Sequence, residues 1–491
     1  MKVLILSCNT GGGHNSCAKA IGAELLNRGH TYETDDALLY VSKGTSRFVS
    51  NWHVRFYRYF PKLYNKGYQY AEEHPASFDE SSAACRILRR GCKRLRAAIL
   101  AGGYDAVVCV HLFPALMLTF IQREAPLPVK TMFIATDYTA SPSCDRMRLD
   151  TCVIPDAALT ELFVKNGVSP DTIAPLGIPV RAELYSCLPV QEAKKAAGLD
   201  PSHRHLLMMT GSMGCGPMEE LTQLLANSLP TEYDVTVACS SNRQLLRRME
   251  RKFEDRPNIH IRGYIGNVSA IMDSADLFLT KPGGISTTEA MVKGLPMVLV
   301  NVVGGCETPN LEFFVSHGGA ATADTPEAIA ALCKRLLEHD EERLIMRQSL
   351  LAMHKSPAAQ AICDCLGTWG IIRTAAWDSN EKKQGGHANM TIVTLDNFEK
   401  EVMQAETPVV VDFWASWCGP CMMLAPVMEA LEPEVPGVKF CKVNVDDERD
   451  LAMEFQIESI PTLLCVKGGK AVKRLVGFRE KDALKKELEA L

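Results

Sequence analysis

Strand-like apolar runs at Lys2–Ser7, Ala106–Val110, Lys130–Ala135 and Thr151–Ile154 alternate with helical stretches such as Cys17–Arg28 and Ile87–Ala101. Strand followed by helix, in repetition, implies a parallel sheet. A second set begins after Pro189, with runs at His205–Thr210, Asp234–Cys239, Ile259–Gly263, Leu277–Thr280 and Pro296–Val300. The expected architecture is therefore α/β, with two doubly wound Rossmann-like units of similar size. Ligands of open parallel sheets bind beyond the C-terminal ends of the strands, so two such units facing each other form a cleft.

The polar, glycine-containing stretch WDSNEKKQGGHANM has no periodicity and reads as a linker. The expected domains are residues 1–180, residues 181–371 with a last helix crossing back, a linker over 372–389, and a self-contained unit over 390–491. No run of about 18 apolar residues occurs, and MKVLILSC lacks a small-residue cleavage site, so it reads as a first strand and not as a signal peptide. The 18 cysteines are scattered singly in apolar segments, which suits a reducing compartment and leads us to expect a cytoplasmic protein. The net charge of −5 conceals an asymmetry: residues 1–150 carry 19 Lys and Arg against 13 Asp and Glu, whereas residues 390–491 carry 12 against 18.

The run TKPGGISTTEA, from Thr280 to Ala290, is a strand end, a glycine turn and a helix start. Gly283 and Gly284 let the backbone approach an anion, and Ser286, Thr287 and Thr288 offer hydroxyls beside the helix's first free amides. Glu289, one turn in, repels phosphate but accepts from a ribose diol. Phosphate donors beside a ribose acceptor describe a nucleotide site; an ordinary capped turn is the plainer alternative.

SCNTGGGHNSCAKAI follows the first strand, so Gly11, Gly12 and Gly13 bring amides to the cleft and His14 faces the ligand. It is not GxGxxG, and no clear acidic residue closes the second strand, which disfavours a nicotinamide dehydrogenase. TGSMGCGP carries Ser212, GYIGNVSAIM offers the Ile265 backbone to a flat base, and GGCETPN supplies Glu307 and Asn310 for a hydroxyl-rich sugar. His111, after the strand ending at Val110, is a further acceptor-side candidate.

In the last unit VVVDFWASWCGPC places Cys418 and Cys421 at a helix start with two residues between them, where a reversible disulfide forms and the Cys418 thiolate is favoured. Asp412 lies in the apolar strand, where desolvation raises its pKa, and Pro461 sits where a cis proline faces the disulfide. Structural zinc is the rival reading, but no second cysteine pair accompanies this one. This unit resembles thioredoxin, through VDFWASWCGPC, KVNVDDERDLA, ESIPTLL and Gly477–Phe478. The resemblance implies Cys418 as attacking thiol, Cys421 as resolving thiol, Asp412 as proton acceptor assisted by Lys442, and cis-Pro461 in the substrate groove. Its implied partners are thioredoxin reductase and disulfide-bearing proteins. Met422 departs from the basic residue usual there.

MKVLILSCNTGGGH, MTGSMG, GYIGN, KPGGISTTEAMVKGLPMV and the Glu307 and Asn310 of GGCETPN resemble the monogalactosyldiacylglycerol synthase and processive diacylglycerol glucosyltransferase group, a branch of the GT-B glycosyltransferases. The likeness spans residues 1 to about 370 and implies inverting transfer of a hexose from UDP-sugar, the donor substrate, to a lipid hydroxyl, with no metal and no permanently bound cofactor. It implies Glu289 as ribose ligand, Gly283, Gly284 and Ser212 on the diphosphate, Glu307 and Asn310 on the sugar, and His14 and Asp137 as acid/base candidates. Cys306 replaces the group's usual Gln, and the segment after Asp137 lacks the usual His and Trp. Transfer of N-acetylglucosamine to another lipid is the alternative. Chiefly a thiol-disulfide oxidoreductase with a degenerate nucleotide module is the other.

From Arg47 to Tyr70 nine aromatic residues and five cations occur with no acid, and Phe48, Trp52, Phe56 and Phe60 recur every four residues with Arg55, Arg58 and Lys62 between. Such a stripe lies in a headgroup layer, and Arg86–Arg96 adds attraction to an anionic membrane surface. We therefore expect a peripheral location on the inner face of the cell membrane, diacylglycerol or a related lipid as partner, and no nucleic acid.

Overall fold

The opening strand β1 (Lys2–Ser7) is buried from Val3 onward, as befits a strand covered on both faces. Successive side chains of a strand point to opposite sides, so Leu4 and Leu6 join one apolar cluster and Val3 and Ile5 another. The computed structural model describes residues 1–8, 12–49, 82–211, 217–300, 307–354, 356–377, 390–415, 418–445, 448–457, 459–479 and 481–489. Two compact units divide the chain, Met1–Ala375 and Ala376–Leu491.

The first unit holds two six-stranded sheets among its described residues. β2 (Thr31–Asp36), β3 (Ala106–Cys109), β4 (Lys130–Ile134), β5 (Thr151–Val153) and β6 (Ile173–Ala174) complete the first, in the order β2-β1-β3-β4-β5-β6 with every pairing parallel. The second comprises β7 (Arg204–Met209), β8 (Tyr233–Ala238), β9 (Ile259–Arg262), β10 (Leu277–Thr280), β11 (Met297–Leu299) and β12 (Ala320–Thr322), ordered β12-β11-β10-β7-β8-β9 and again all parallel. The two Rossmann-like sheets are those of the GT-B arrangement. Their halves do not merely face each other across solvent. Leu4 and Leu6 share one continuous cluster with Phe278, Met297, Leu299, Phe313 and Phe314, and Ile362, Cys363 and Leu366 of the helix Ala358–Trp377 return to pack with Val3, Ile5 and Ile21.

β2 was not legible as a strand because it is a polar edge, TYETDD, with only its last residue buried. It also corrects the reading that no acidic residue closes the second strand, since Asp35 and Asp36 do. Asp36 accepts from Leu38 N at 3.0 Å and from Ser46 Oγ at 2.6 Å, so its carboxylate caps the following turn.

The second unit has a mixed sheet of β13 (Thr391–Ile392), β14 (Val409–Trp414), β15 (Lys439–Asn444), β16 (Thr462–Lys467) and β17 (Lys470–Val476), ordered β13-β15-β14-β16-β17. β14 runs parallel to β15 and antiparallel to β16, the arrangement of a thioredoxin fold. Apolar clusters around Leu424 and Met428 on one side and Phe413 and Phe398 on the other cover its two faces.

Candidate functional site

The turn after β1 leads into the helix Gly12–Asn27, the turn after β10 into the helix Gly284–Lys293, and the two helix starts meet. Gly13 has room for a Cβ only 3.2 Å from Ile285 Cγ1, and a Cβ on Gly284 would lie 2.0 Å from the carbonyl oxygen of Thr136. Gly284 is thus needed for close approach of the halves, beyond the expected diphosphate contact. Thr287 Oγ1 donates to the Gly283 carbonyl at 3.0 Å and Thr288 Oγ1 to the Gly284 carbonyl at 2.6 Å, so both hydroxyls bind their own helix instead of facing a ligand. Ser286 remains half-buried beside them.

His14 Nδ1 lies 2.6 Å from the Val110 carbonyl oxygen and 3.2 Å from Thr136 Oγ1. A carbonyl only accepts, so Nδ1 carries the proton and Nε2 holds the lone pair. Burial lowers the His14 pKa from its usual value, against the opposing pull of the Asp137 carboxylate and the Val110 carbonyl. The ring of His111 packs edge-on against it at 4.7 Å. A neutral imidazole with a free Nε2, beside a carboxylate that favours its protonated form, is the arrangement a general base needs.

Asn310 is fully buried, and its donors go to Asp137 Oδ1 and the Pro282 carbonyl, each at 2.9 Å, while its oxygen accepts from Tyr138 N at 2.6 Å. The residue expected on the sugar is in this structure a clasp between the halves. Glu307, the other expected sugar ligand, is buried and paired with Lys281. Lys281 also crowds Gly211, whose φ of +76° and 2.7 Å gap to Lys281 Cε leave no place for a side chain. Lys281 stands in the same KPGG run, but its partner Glu307 lies 26 residues on, so no local spacing signals the pair.

Glu289 is 8 % exposed and accepts from Arg181 Nη2 at 3.4 Å. Burial raises its pKa and Arg181 opposes the rise. Arg181 lies 108 residues away, and no local spacing signals that pair. Gly12 is the exposed first residue of its helix, and Ile265 is half-buried beyond the C-terminal end of β9. Ser212 and Cys306 lie outside the described residues, as do Trp52, Phe56, Phe60, Arg55, Arg58 and Lys62 of the aromatic stripe. Phe48 is 62 % exposed, and Arg86, Arg90, Lys93 and Arg94 are exposed on the helix Ala83–Gly102. Among the described residues no helix is long and apolar enough to cross a membrane.

In the second unit Cys418 and Cys421 form a disulfide, Cys418 occupies the N-cap of the helix Gly419–Leu431, and Cys421 N donates to Cys418 Sγ at 3.1 Å. The Ile460–Pro461 bond is cis. Asp412 is 3 % exposed, and burial pushes its pKa up to about 7 against the opposing charge of Lys442, its register partner on β15.

Comparison with known families covers each of these parts. Residues 14–180 match Monogalactosyldiacylglycerol (MGDG) synthase, residues 221–350 match Glycosyl transferases group 1, and residues 389–490 match Thioredoxin. Processive diacylglycerol beta-glucosyltransferase of Bacillus pumilus (strain SAFR-032) is 26% identical over 379 residues, covering 74% of this chain and 94% of the relative. The protein of the same name from Staphylococcus aureus (strain Newman) is 25% identical over 367 residues, covering 74% and 91%. The chain therefore joins an MGDG-synthase-type domain and a group 1 glycosyltransferase domain, homologous to diacylglycerol glucosyltransferases, to a C-terminal thioredoxin domain.

Proposed function

We propose that the first unit transfers a hexose from UDP-sugar to diacylglycerol with inversion, and that the second reduces disulfides. The observation that carries the transferase reading is the His14 imidazole, held through Nδ1 by the Val110 carbonyl with Nε2 left free beside Asp137. Nε2 takes the proton of the acceptor hydroxyl as its oxygen attacks the anomeric carbon, and Asp137 stabilises the imidazolium that forms. The bond from that carbon to the diphosphate breaks, and the amides at the start of the helix Gly284–Lys293, with Gly283 and Ser286, receive the departing UDP. Lys281 sits at the same turn with its charge paired to Glu307, and the diphosphate competes with that carboxylate for the ammonium. Glu289 serves the ribose diol once the diol displaces Arg181, and Ile265 borders the base.

The names of the Bacillus and Staphylococcus relatives support diacylglycerol as acceptor. The exposed cations of the helix Ala83–Gly102 support attachment to an anionic bilayer, and we assign the protein to the inner face of the cell membrane on that ground. For the second unit, a disulfide at a helix start and a buried Asp412 titrating near neutrality support exchange with disulfide-bearing proteins and thioredoxin reductase.

The test is mass spectrometry of lipids formed by the purified full chain with UDP-hexoses and UDP-N-acetylglucosamine on vesicles holding diacylglycerol and a polyprenyl-linked acceptor. Hexosyl-diacylglycerol from wild type and its loss in His14→Gln are expected. No lipid product from any UDP-hexose overturns the reading, and product only from UDP-N-acetylglucosamine on another lipid selects the alternative donor.

A further inference from the structure

His111 is tied to His14 through two connections. Its own side chain caps the helix Leu112–Glu124, with Nδ1 accepting from Phe113 N at 3.1 Å, and its backbone is extended there, at φ −148° and ψ 150°. That geometry fixes the orientation of the peptide joining Val110 to His111, and the carbonyl of that peptide is the group that holds His14 Nδ1 at 2.6 Å. The His111 ring also lies edge-on to the His14 ring, centroids 4.7 Å apart at 64°, and against Phe113 at 4.7 Å. One residue at the end of β3 therefore controls both the acceptor that selects the His14 tautomer and the surface its ring rests on.

We propose that His111 is a positioning residue which, by capping its helix, aims the Val110 carbonyl at His14 and so keeps the His14 Nε2 unprotonated and free for the acceptor hydroxyl. This rests on the transferase reading for its catalytic consequence, but the tautomer itself does not. Accepting from Phe113 N requires an unprotonated His111 Nδ1, so the His111 proton sits on Nε2 and the ring adds no charge beside His14. Among the described residues, the groups facing His14 are the Asp137 carboxylate and Thr136 hydroxyl after β4, the Val110 carbonyl and His111 after β3, and the Gly284–Ile285 helix start across the interface.

The experiment is nitrogen NMR of the histidine rings in the full chain, with His14 assigned by His14→Gln, applied to wild type, His111→Ala and His111→Asn. Asn retains a helix-capping oxygen without the ring. Wild type and His111→Asn are expected to hold His14 as the Nδ1–H tautomer, and His111→Ala to lose that preference. In parallel, kcat of His111→Ala should fall roughly ten- to a hundredfold with KM unchanged, and His111→Asn should recover most of it. An Nδ1–H tautomer undisturbed in His111→Ala overturns the proposal, as does failure of a folded His111→Asn to restore it. If wild type makes no glycolipid, the NMR result still decides the positioning claim while the transferase reading alone fails.

Discussion

Asn310 donates to Asp137 Oδ1 at 2.9 Å across 173 residues of sequence, so the helix that begins at Glu307 in the second half holds the carboxylate that faces His14 in the first. The same amide also reaches the Pro282 carbonyl and Tyr138 N, which makes one buried side chain the joint between the turn after β10 and the Asp137 carboxylate. Asn310→Ala leaves these partners unsatisfied in a buried site, at about 1–3 kcal/mol for each such group. Asn310→Asp is expected to cost more, because it removes the donors and sets a second carboxylate against Asp137. Thermal unfolding of the two variants checks the order; an Asp variant as stable as wild type would sink the clasp.

The closeness of the halves at Gly284 gives a sharper contrast. Gly284→Ala brings a Cβ to 2.0 Å from the Thr136 oxygen and 3.1 Å from Asp137 Oδ1, whereas at Gly283 the nearest atom is Lys281 Nζ at 3.5 Å. Overpacking of this kind costs roughly 1–3 kcal/mol. Gly284→Ala should therefore lose about tenfold or more in turnover relative to wild type, whereas Gly283→Ala, which meets no such overlap, should unfold at the wild-type temperature. Equal activities in a steady-state assay would show that the contact is not held during catalysis.

If His14 is the general base proposed above, the acid limb of the pH profile reports on it. Its folded pKa lies below the usual 6.5, so the neutral base is present above that limb and is lost as pH falls through the lowered value. Any stability this group contributes follows the same direction, present above the unfolded pKa and lost on acidification. Because the Asp137 carboxylate raises the His14 pKa, Asp137→Asn should move the limb of kcat/KM further to the acid side. Movement toward alkaline pH, measured over a constant-ionic-strength buffer series, contradicts the assignment.

Asp412 acts with the opposite sign on the thioredoxin unit. Its folded pKa of about 7 exceeds the unfolded value, so its contribution to stability is intact below about pH 4 and is lost as pH rises to about 7. Asp412→Asn should remove this dependence and leave the disulfide form more stable than wild type above pH 7, by on the order of 4 kcal/mol before relaxation is allowed for. Denaturant unfolding of the full chain at pH 5 and pH 8, followed by the signal of this unit, provides the measurement. Identical pH slopes in the two proteins would refute the buried-acid account.

The elements that carry the sites were readable because their signals are local. An apolar run, a glycine turn or paired cysteines, and a helix start announce themselves within a short stretch of sequence, as at Leu277–Lys293 and at Val409–Cys421. β2 escaped because an edge strand with polar faces lacks the apolar signature. The type and position of Thr287 and Thr288 suit ligand hydroxyls, but each donates to a carbonyl one turn back, a choice that helix geometry makes and residue type does not announce.

The order of residues alone determined two parallel α/β units, a disulfide-bearing third unit, and the turns where chemistry gathers, since backbone conformation follows from neighbours in sequence. Only the tertiary structure decided which side chains answer one another: Asn310 with Asp137, Lys281 with Glu307, Arg181 with Glu289, and His14 with the Val110 carbonyl. These contacts join residues 26 to 173 positions apart. They exist because packing the shared core brings those surfaces together, and a buried polar group must then take whichever partner the packing supplies.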